Sequence, residues 1–220
     1  MNIFEKHEMF EMEVLEKLKN ARVLDPLVFG GGSMLRLCHE LNRYSVDLDF
    51  WQIKEPADNT LLDKIQDFLE QDYDITDAQI KHFTLLIEIR SSNFPKRLKI
   101  EIRKEIRNWD FQEKIAYSKF SNKQVILRAH TLEQTLENKI AALLERGEVR
   151  DGFDIEFLLR RGISIPILSG PDKTKMKARL DGFKENDFKV KLGSVLEKDI
   201  RAYYIENKFN YLKQKLELER

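Results

Sequence analysis

Residues 27–51 read LVFGGGSMLRLCHELNRYSVDLDFW, and the order of features in this run restricts the fold more than any other part of the chain. Leu27-Val28-Phe29 has strand composition and is stopped by three glycines. An amphipathic helix follows, with Met34, Leu35, Leu37, Cys38 and Leu41 on its apolar face. A second apolar run, 46–51, then carries Asp47 and Asp49. Residues two apart on a strand leave the same face, so the two carboxylates project together while Leu48 points away. Such a like-charged pair calls for a cation between its members. The glycine turn ahead of a helix offers N–H groups and a positive dipole end to an anion, with Gly31, Gly32 and Ser33 placed to present them. The two halves are complementary: a hard cation such as Mg²⁺ is held by a few carboxylates and also touches phosphate oxygens. Either half alone is common on a solvated surface; the combination in this order carries the reading.

The remaining chain divides in character. Residues 3–20 have helical spacing of Phe4, Met9, Phe10, Val14, Leu15 and Leu18. Pro56 and the polar residues after it open a second expected helix, about 59–71. Two alternating runs, 82–90 and 97–106, joined by SSNFPK, read as an antiparallel hairpin in which Glu88 and Glu101 each lie between isoleucines. Glu101, in Lys-Ile-Glu-Ile, is the candidate third carboxylate. Residues 124–129 form one more expected strand. Beyond His130 the pattern is helical: 131–147, capped by Thr131 and ended by Gly147, then 149–162, then 172–219 with breaks at Gly182 and Gly193. The expectation is an α/β unit over residues 1–129 followed by a helical C-terminal domain over 130–220.

Composition narrows the functional classes. With 38 Lys+Arg against 38 Asp+Glu among 220 residues, the chain lacks the basic excess of a bulk nucleic-acid coat protein. Cys38 is the sole cysteine, so no intramolecular disulfide forms and a reducing, cytoplasmic setting is expected. Its place on an apolar helix face reads as packing, not nucleophilic chemistry. The four histidines are scattered without zinc-ligand spacing. No apolar run approaches the ~20 residues of a membrane helix, and no membrane partner is expected. Trp51 and Trp109 are expected to pack or to flank the site.

GGGSMLR followed by SVDLDF resembles the nucleotidyltransferase superfamily signature and, more narrowly, the AbiEii/AbiGii-type toxin nucleotidyltransferases. In that family a Gly-Gly-Thr-Ala-Leu-Arg turn and helix, Ser-x-Asp-Leu-Asp-Phe, a Lys-Ile-Asp-Ile strand, Lys-x-x-Ala-Leu-x-x-Arg and Arg-Asp-x-x-Asp follow one another. Lys139-Ile140-Ala141-Ala142-Leu143 through Arg146, and Arg150-Asp151 through Asp154, stand in the last two places. The similarity covers about residues 27–160. It implies a nucleotidyltransferase-like mixed sheet flanked by helices, with a helical bundle after it. It implies catalytic roles for Asp47, Asp49, Glu101, Lys139 and Asp151, with metal ligation by the first three. It implies nucleotide contacts from Gly31, Gly32, Ser33, Arg36, Lys139, Arg146 and Asp154. The cofactor would be Mg²⁺ or Mn²⁺, the substrate an NTP, the acceptor an RNA (tRNA among them) or a protein, and the partner a cognate antitoxin in a phage-defence or toxin–antitoxin pair. Lys139 and Arg146, seven residues apart, share a helix side. Their expected role is to meet the nucleotide phosphates, oriented by Asp151 and Asp154. Three departures from the family pattern stand out: Gly30 for a common Lys, Ser33 for Thr, and Glu101 for Asp. A non-catalytic relative that binds nucleotide, RNA or a protein partner is the alternative. An Asp-x-Asp glycosyltransferase fits the glycine turn and the second acidic strand poorly.

Overall fold

The computed structural model describes residues 1–54 and 61–218. It contains two compact units, Met1–Glu40 with Tyr44–His130, and Leu41–Arg43 with Thr131–Arg220.

The first unit is built on a seven-stranded mixed sheet. Its strands are β1 (Leu27–Gly30), β2 (Asp47–Gln52), β3 (Asp74–Ile80), β4 (Thr84–Arg90), β5 (Leu98–Arg103), β6 (Phe111–Tyr117) and β7 (Gln124–His130), in the spatial order β3-β4-β5-β2-β1-β7-β6. β2 runs antiparallel to β1 and parallel to β5, while β1 runs parallel to β7. The expected hairpin is β4–β5, pairing Glu88 with Lys99 and Leu86 with Glu101. The helices are α1 (Ile3–Asn20), α2 (Gly31–His39) and α3 (Leu61–Leu69). Asn2 caps α1 through its side chain, and its own N–H donates to Glu5 Oε2 at 2.7 Å, a reciprocal cap that fixes where the helix starts. The expected start of α3, with Pro56, lies outside the described residues.

Two strands were not expected from the sequence. β3 (DITDAQI) and β6 (FQEKIAY) are the two edges of the sheet. β6 buries only Ala116 and leaves Phe111, Ile115 and Tyr117 exposed, so it carries no alternation of buried and solvated side chains to read. Edge strands form because a neighbour offers a ladder of hydrogen bonds, a property of the partner more than of their own residues.

The second unit holds α4 (Leu132–Arg146), α5 (Val149–Arg160), α6 (Gly170–Gly182), α7 (Lys198–Asn207) and α8 (Asn210–Leu218), with a π-helical turn at Asp187–Leu192 and a 3₁₀ turn at Gly193–Val195. Thr131 caps α4 by accepting the Gln134 N–H at 3.2 Å, and Gly147 ends it in the left-handed conformation. The expected long helix also breaks at Lys208, a non-glycine residue with φ of 49°, a break with no glycine to mark it. Phe153, Phe188, Phe209 and Tyr204 form an aromatic core, and Gly152 lets α5 approach it: a Cβ there would lie 2.9 Å from the Phe209 ring. Among the described residues no helix is long and apolar enough to cross a membrane.

His130 ends β7 fully buried between Trp51 and Trp109, at ring-centroid distances of 4.9 and 5.3 Å. Its Nδ1 faces the Asp110 carbonyl at 3.2 Å, and its Nε2 has no hydrogen-bond partner among the described residues. Burial, with a smaller contribution from the charge of Arg107, pulls its pKa down to about 4. A depressed imidazole pKa means that the unfolded chain binds more protons between pH 4 and 6.5, so this group's stabilisation is complete above that window and is lost as pH falls through it. Glu11, raised by burial, has the opposite slope over part of the range. The difference between wild type and His130→Phe therefore isolates the histidine. As pH drops from 7.5 to 4.5, urea denaturation should show wild type losing up to about 3 kcal/mol relative to the variant. A pH-independent difference would mean that folding leaves the imidazole pKa unshifted.

Candidate active site

The centre of the sheet sets the acidic face. β2 and β5 alternate, burying Leu48, Phe50, Ile100 and Ile102 on one side and turning Asp47, Asp49, Lys99 and Glu101 to the other. Their parallel register pairs Asp47 with Lys99 and Asp49 with Glu101. Lys99 Nζ lies 2.9 Å from Glu101 Oε1 and 3.6 Å from Asp47 Oδ2, so one ammonium serves two carboxylates. Burial pulls the Lys99 pKa down, but the hydrogen bond to Glu101 and the charges of Asp47, Glu101 and Asp49 outweigh it and leave the pKa raised. Glu88, one strand further out, accepts from Thr76 Oγ1 at 2.7 Å and Arg97 at 2.8 Å. The carboxylate next to Asp49 is thus Glu101, and Glu88 is engaged elsewhere. Lys99 belongs to none of the sequence motifs read as site residues, although its position two residues before Glu101 puts it on the acidic face.

The glycine turn closes on the same carboxylates. Gly31 has φ of +71°, and a Cβ on it would fall 2.1 Å from Asp49 Oδ2, so the carboxylate occupies the space a side chain would take. Gly30 is restricted too: a Cβ there would meet the Trp51 ring at 2.4 Å. The lysine common at this position in relatives has no room beside Trp51. The first N–H groups of a helix lack intrahelical partners, and Gly30, at the N-cap of α2, has no side chain to cap them. The Ser33 hydroxyl, by contrast, is buried, 2.8 Å from Glu11 Oε1 and 2.6 Å from the Asp47 carbonyl. Burial pushes the Glu11 pKa well up, against the opposing effect of the hydrogen bond that Ser33 donates to it. Arg36 donates to Glu8 at 2.9 Å and stacks on Tyr44 at 4.7 Å. Ser33 and Arg36 therefore tie α2 to α1 and its surroundings, and what the turn presents to a ligand is its backbone.

Asp47, Asp49 and Glu101 are all-oxygen donors, the kind that suits Mg²⁺ or Mn²⁺. Two of them already converge on one cationic atom, and the third abuts the turn. The donor chemistry fits such an ion. Among the described residues, however, no three carboxylate, imidazole or thiol groups form a ready-made cage, and the Lys99 ammonium stands between two of the acids. Cys38, with burial raising its pKa to about 12, is no nucleophile at neutral pH.

The other motif residues assemble inside the second unit. Lys139 and Arg146 are both directed at α5: Lys139 Nζ lies 2.7 Å from Asp154 and 3.5 Å from Asp151, and Arg146 makes two bonds of 2.8 and 2.7 Å to Asp151. Arg43 adds a bidentate pair to Asp154 at 2.7 and 2.6 Å. Asp151 and Asp154 are completely buried, so these are not solvated surface pairs. Burial raises the Asp154 pKa, and the charges of Arg43 and Lys139 overcome it and hold the carboxyl below its ordinary value. Arg43, 111 residues from Asp154, carried no sequence signal for this role.

Two outcomes follow from these contacts. Asp154→Ala strands the Arg43 and Lys139 charges and should cost about 3–5 kcal/mol in urea denaturation. Lys139→Met should cost less, because Arg43 still holds Asp154. Gly31→Ala combines the strain of positive φ, roughly 1–2 kcal/mol, with displacement of the Asp49 carboxylate. Gly162→Ala, at φ of +89° with nothing within 4 Å, carries only the strain. Gly31→Ala should therefore be the more damaging of the two, and a crystal structure of it should show Asp49 moved.

Comparison with known proteins bears on the fold and the family. No curated protein matches the chain. Among solved structures, a candidate nucleotidyltransferase from H. pylori superposes with a TM-score of 0.56 at 20% identity, over 95% of this chain and 96% of that one. MenT4, a nucleotidyltransferase toxin from Mycobacterium tuberculosis, superposes with a TM-score of 0.50 at 13% identity, over 94% of this chain and 85% of that one. Likeness at these identities shows the fold. The sequence model of the nucleotidyl transferase AbiEii toxin, type IV toxin–antitoxin system, matches residues 13–208, which is most of the length, and the chain belongs to that family.

Proposed function

We propose that this toxin-family nucleotidyltransferase moves an NMP unit from an NTP to a hydroxyl of an RNA acceptor, tRNA being the first to test. Its activity would be countered in the cytoplasm by a cognate antitoxin. The observation that carries the reading is the packing of the Asp49 carboxylate into the side-chain space of Gly31. It joins the acidic face and the uncapped helix end in one place. Asp47, Asp49 and Glu101 would hold Mg²⁺ or Mn²⁺, which when bound supplies charge stabilisation at the α-phosphate and the pyrophosphate leaving group. The N–H groups of Gly31, Gly32 and Ser33 would bind phosphate oxygens and hold the nucleotide in line. An acidic-face carboxylate would accept the proton of the acceptor hydroxyl as its oxygen bonds to the α-phosphorus and pyrophosphate departs. In the second unit, Lys139, Asp151 and Asp154 form a fixed charge array. Arg146, its side chain half exposed, is the member proposed to meet an anion.

The test is incubation with each labelled NTP and total RNA or protein, with Asp49→Asn as control. Loss of the positioned charge stabilisation, several kcal/mol at the transition state, should lower transfer by about a hundredfold or more. The melting temperature should hardly change, because Asp49 is half exposed on the acidic face. Label in protein instead of RNA would redirect the acceptor assignment. Transfer unaffected by Asp49→Asn would overturn the site.

A further inference from the structure

We propose that Lys99 is a tethered counter-ion of the acidic face: it occupies the cation position between Asp47 and Glu101, and a divalent metal must displace it to bind. The inference rests on the reading of Asp47, Asp49 and Glu101 as metal ligands and adds a regulatory residue to that site. Three observations carry it. Lys99 Nζ is within ion-pairing distance of both acids, 2.9 Å from Glu101 and 3.6 Å from Asp47. It projects from the strand that supplies Glu101 and stands opposite Asp47 in the parallel register, so the backbone itself sets its place. Glu88, opposite Lys99 in the β4–β5 register, is itself held by Thr76 and Arg97.

The physical consequence is a competition. Like charges on one face repel each other, and Lys99 offsets that repulsion between Asp47 and Glu101. With Lys99 in place the face is stable without metal, and an incoming ion meets an ammonium it must push aside. The side chain is a flexible four-carbon stem, about a third exposed, so it can leave without disturbing the sheet. An ammonium moved outward from the acids is also placed to meet an anion, so an NTP arriving with its own metal would favour displacement where a bare ion would not. The arrangement would keep metal occupancy low until nucleotide is present.

The experiment measures metal binding without nucleotide and therefore without turnover. Mn²⁺ binding to the full chain is followed by electron paramagnetic resonance or calorimetry for wild type, Lys99→Met, Lys99→Arg and Asp49→Asn. Lys99→Met should bind Mn²⁺ at least about tenfold more tightly than wild type, since a repelling charge a few ångströms away has gone. It should also melt lower than wild type in EDTA and recover on adding Mn²⁺. Lys99→Arg keeps the charge and should bind Mn²⁺ as weakly as wild type. Unchanged or weaker binding in Lys99→Met, with binding still abolished by Asp49→Asn, would overturn the role of Lys99 and leave the metal site standing. Absence of Mn²⁺ binding in both wild type and Lys99→Met, or binding indifferent to Asp49→Asn, would overturn the metal reading itself and this inference with it.

Discussion

β2 and β5 lie side by side in the middle of the sheet, and their parallel register pairs Asp47 with Lys99 and Asp49 with Glu101. Everything at the acidic face depends on that pairing. A slip of β2 by one residue would send Leu48 and Phe50 outward and drive Asp47 and Asp49 into the core, and a slip of β5 would do the same to Ile100, Ile102 and Glu101. Hydrophobic burial on one face thus positions charge on the other with no interaction between the charges needed.

The turn between β1 and α2 depends on the same register. β1 pairs Gly30 with Asp49, so the chain enters α2 alongside the carboxylate. Gly31 is required twice, by its positive φ and by the oxygen that fills its side-chain space. Gly30 is required because Trp51 stands against it, part of a face continued by His130 and Trp109. The departure from the lysine common at this position thus coincides with an aromatic side chain in the space it would use.

The protein buries charge in two distinct ways. In the first unit burial pushes the Glu11 pKa well up, and the Ser33 hydrogen bond only partly offsets it. In the second unit Asp154 stays ionised because Arg43 and Lys139 outweigh the same penalty. Charged partners hold an acid ionised at full burial, and a hydroxyl does not. Arg43 lies in the three-residue segment Leu41–Arg43, which belongs to the second unit although the residues flanking it, Glu40 and Tyr44, belong to the first, so a short excursion of the chain supplies one of the cations on Asp154.

Much of the fold was legible because it is written in local pattern. The glycines after Leu27-Val28-Phe29, the alternation in 84–90 and 98–103, and Thr131 and Gly147 at the two ends of α4 each act within a few residues of themselves. The same-face projection of Asp47 and Asp49 follows from strand geometry alone. Other features have no local cause. β3 and β6 exist because inner strands offer them unpaired edges, and their own residues hardly alternate in burial. The inward turn of Ser33 and Arg36 was set by Glu11 and Glu8 on a helix more than twenty residues earlier. The place of Lys99 between two acids needed the β2–β5 register, and the partners of Lys139 needed α5 folded back on α4. The sequence by itself determined which residues could carry charge to a common face, because strand and helix periods are local. Only the tertiary structure decided which charges neutralise one another, because Coulomb energy depends on distance through space and on burial, and neither is a property of the chain alone.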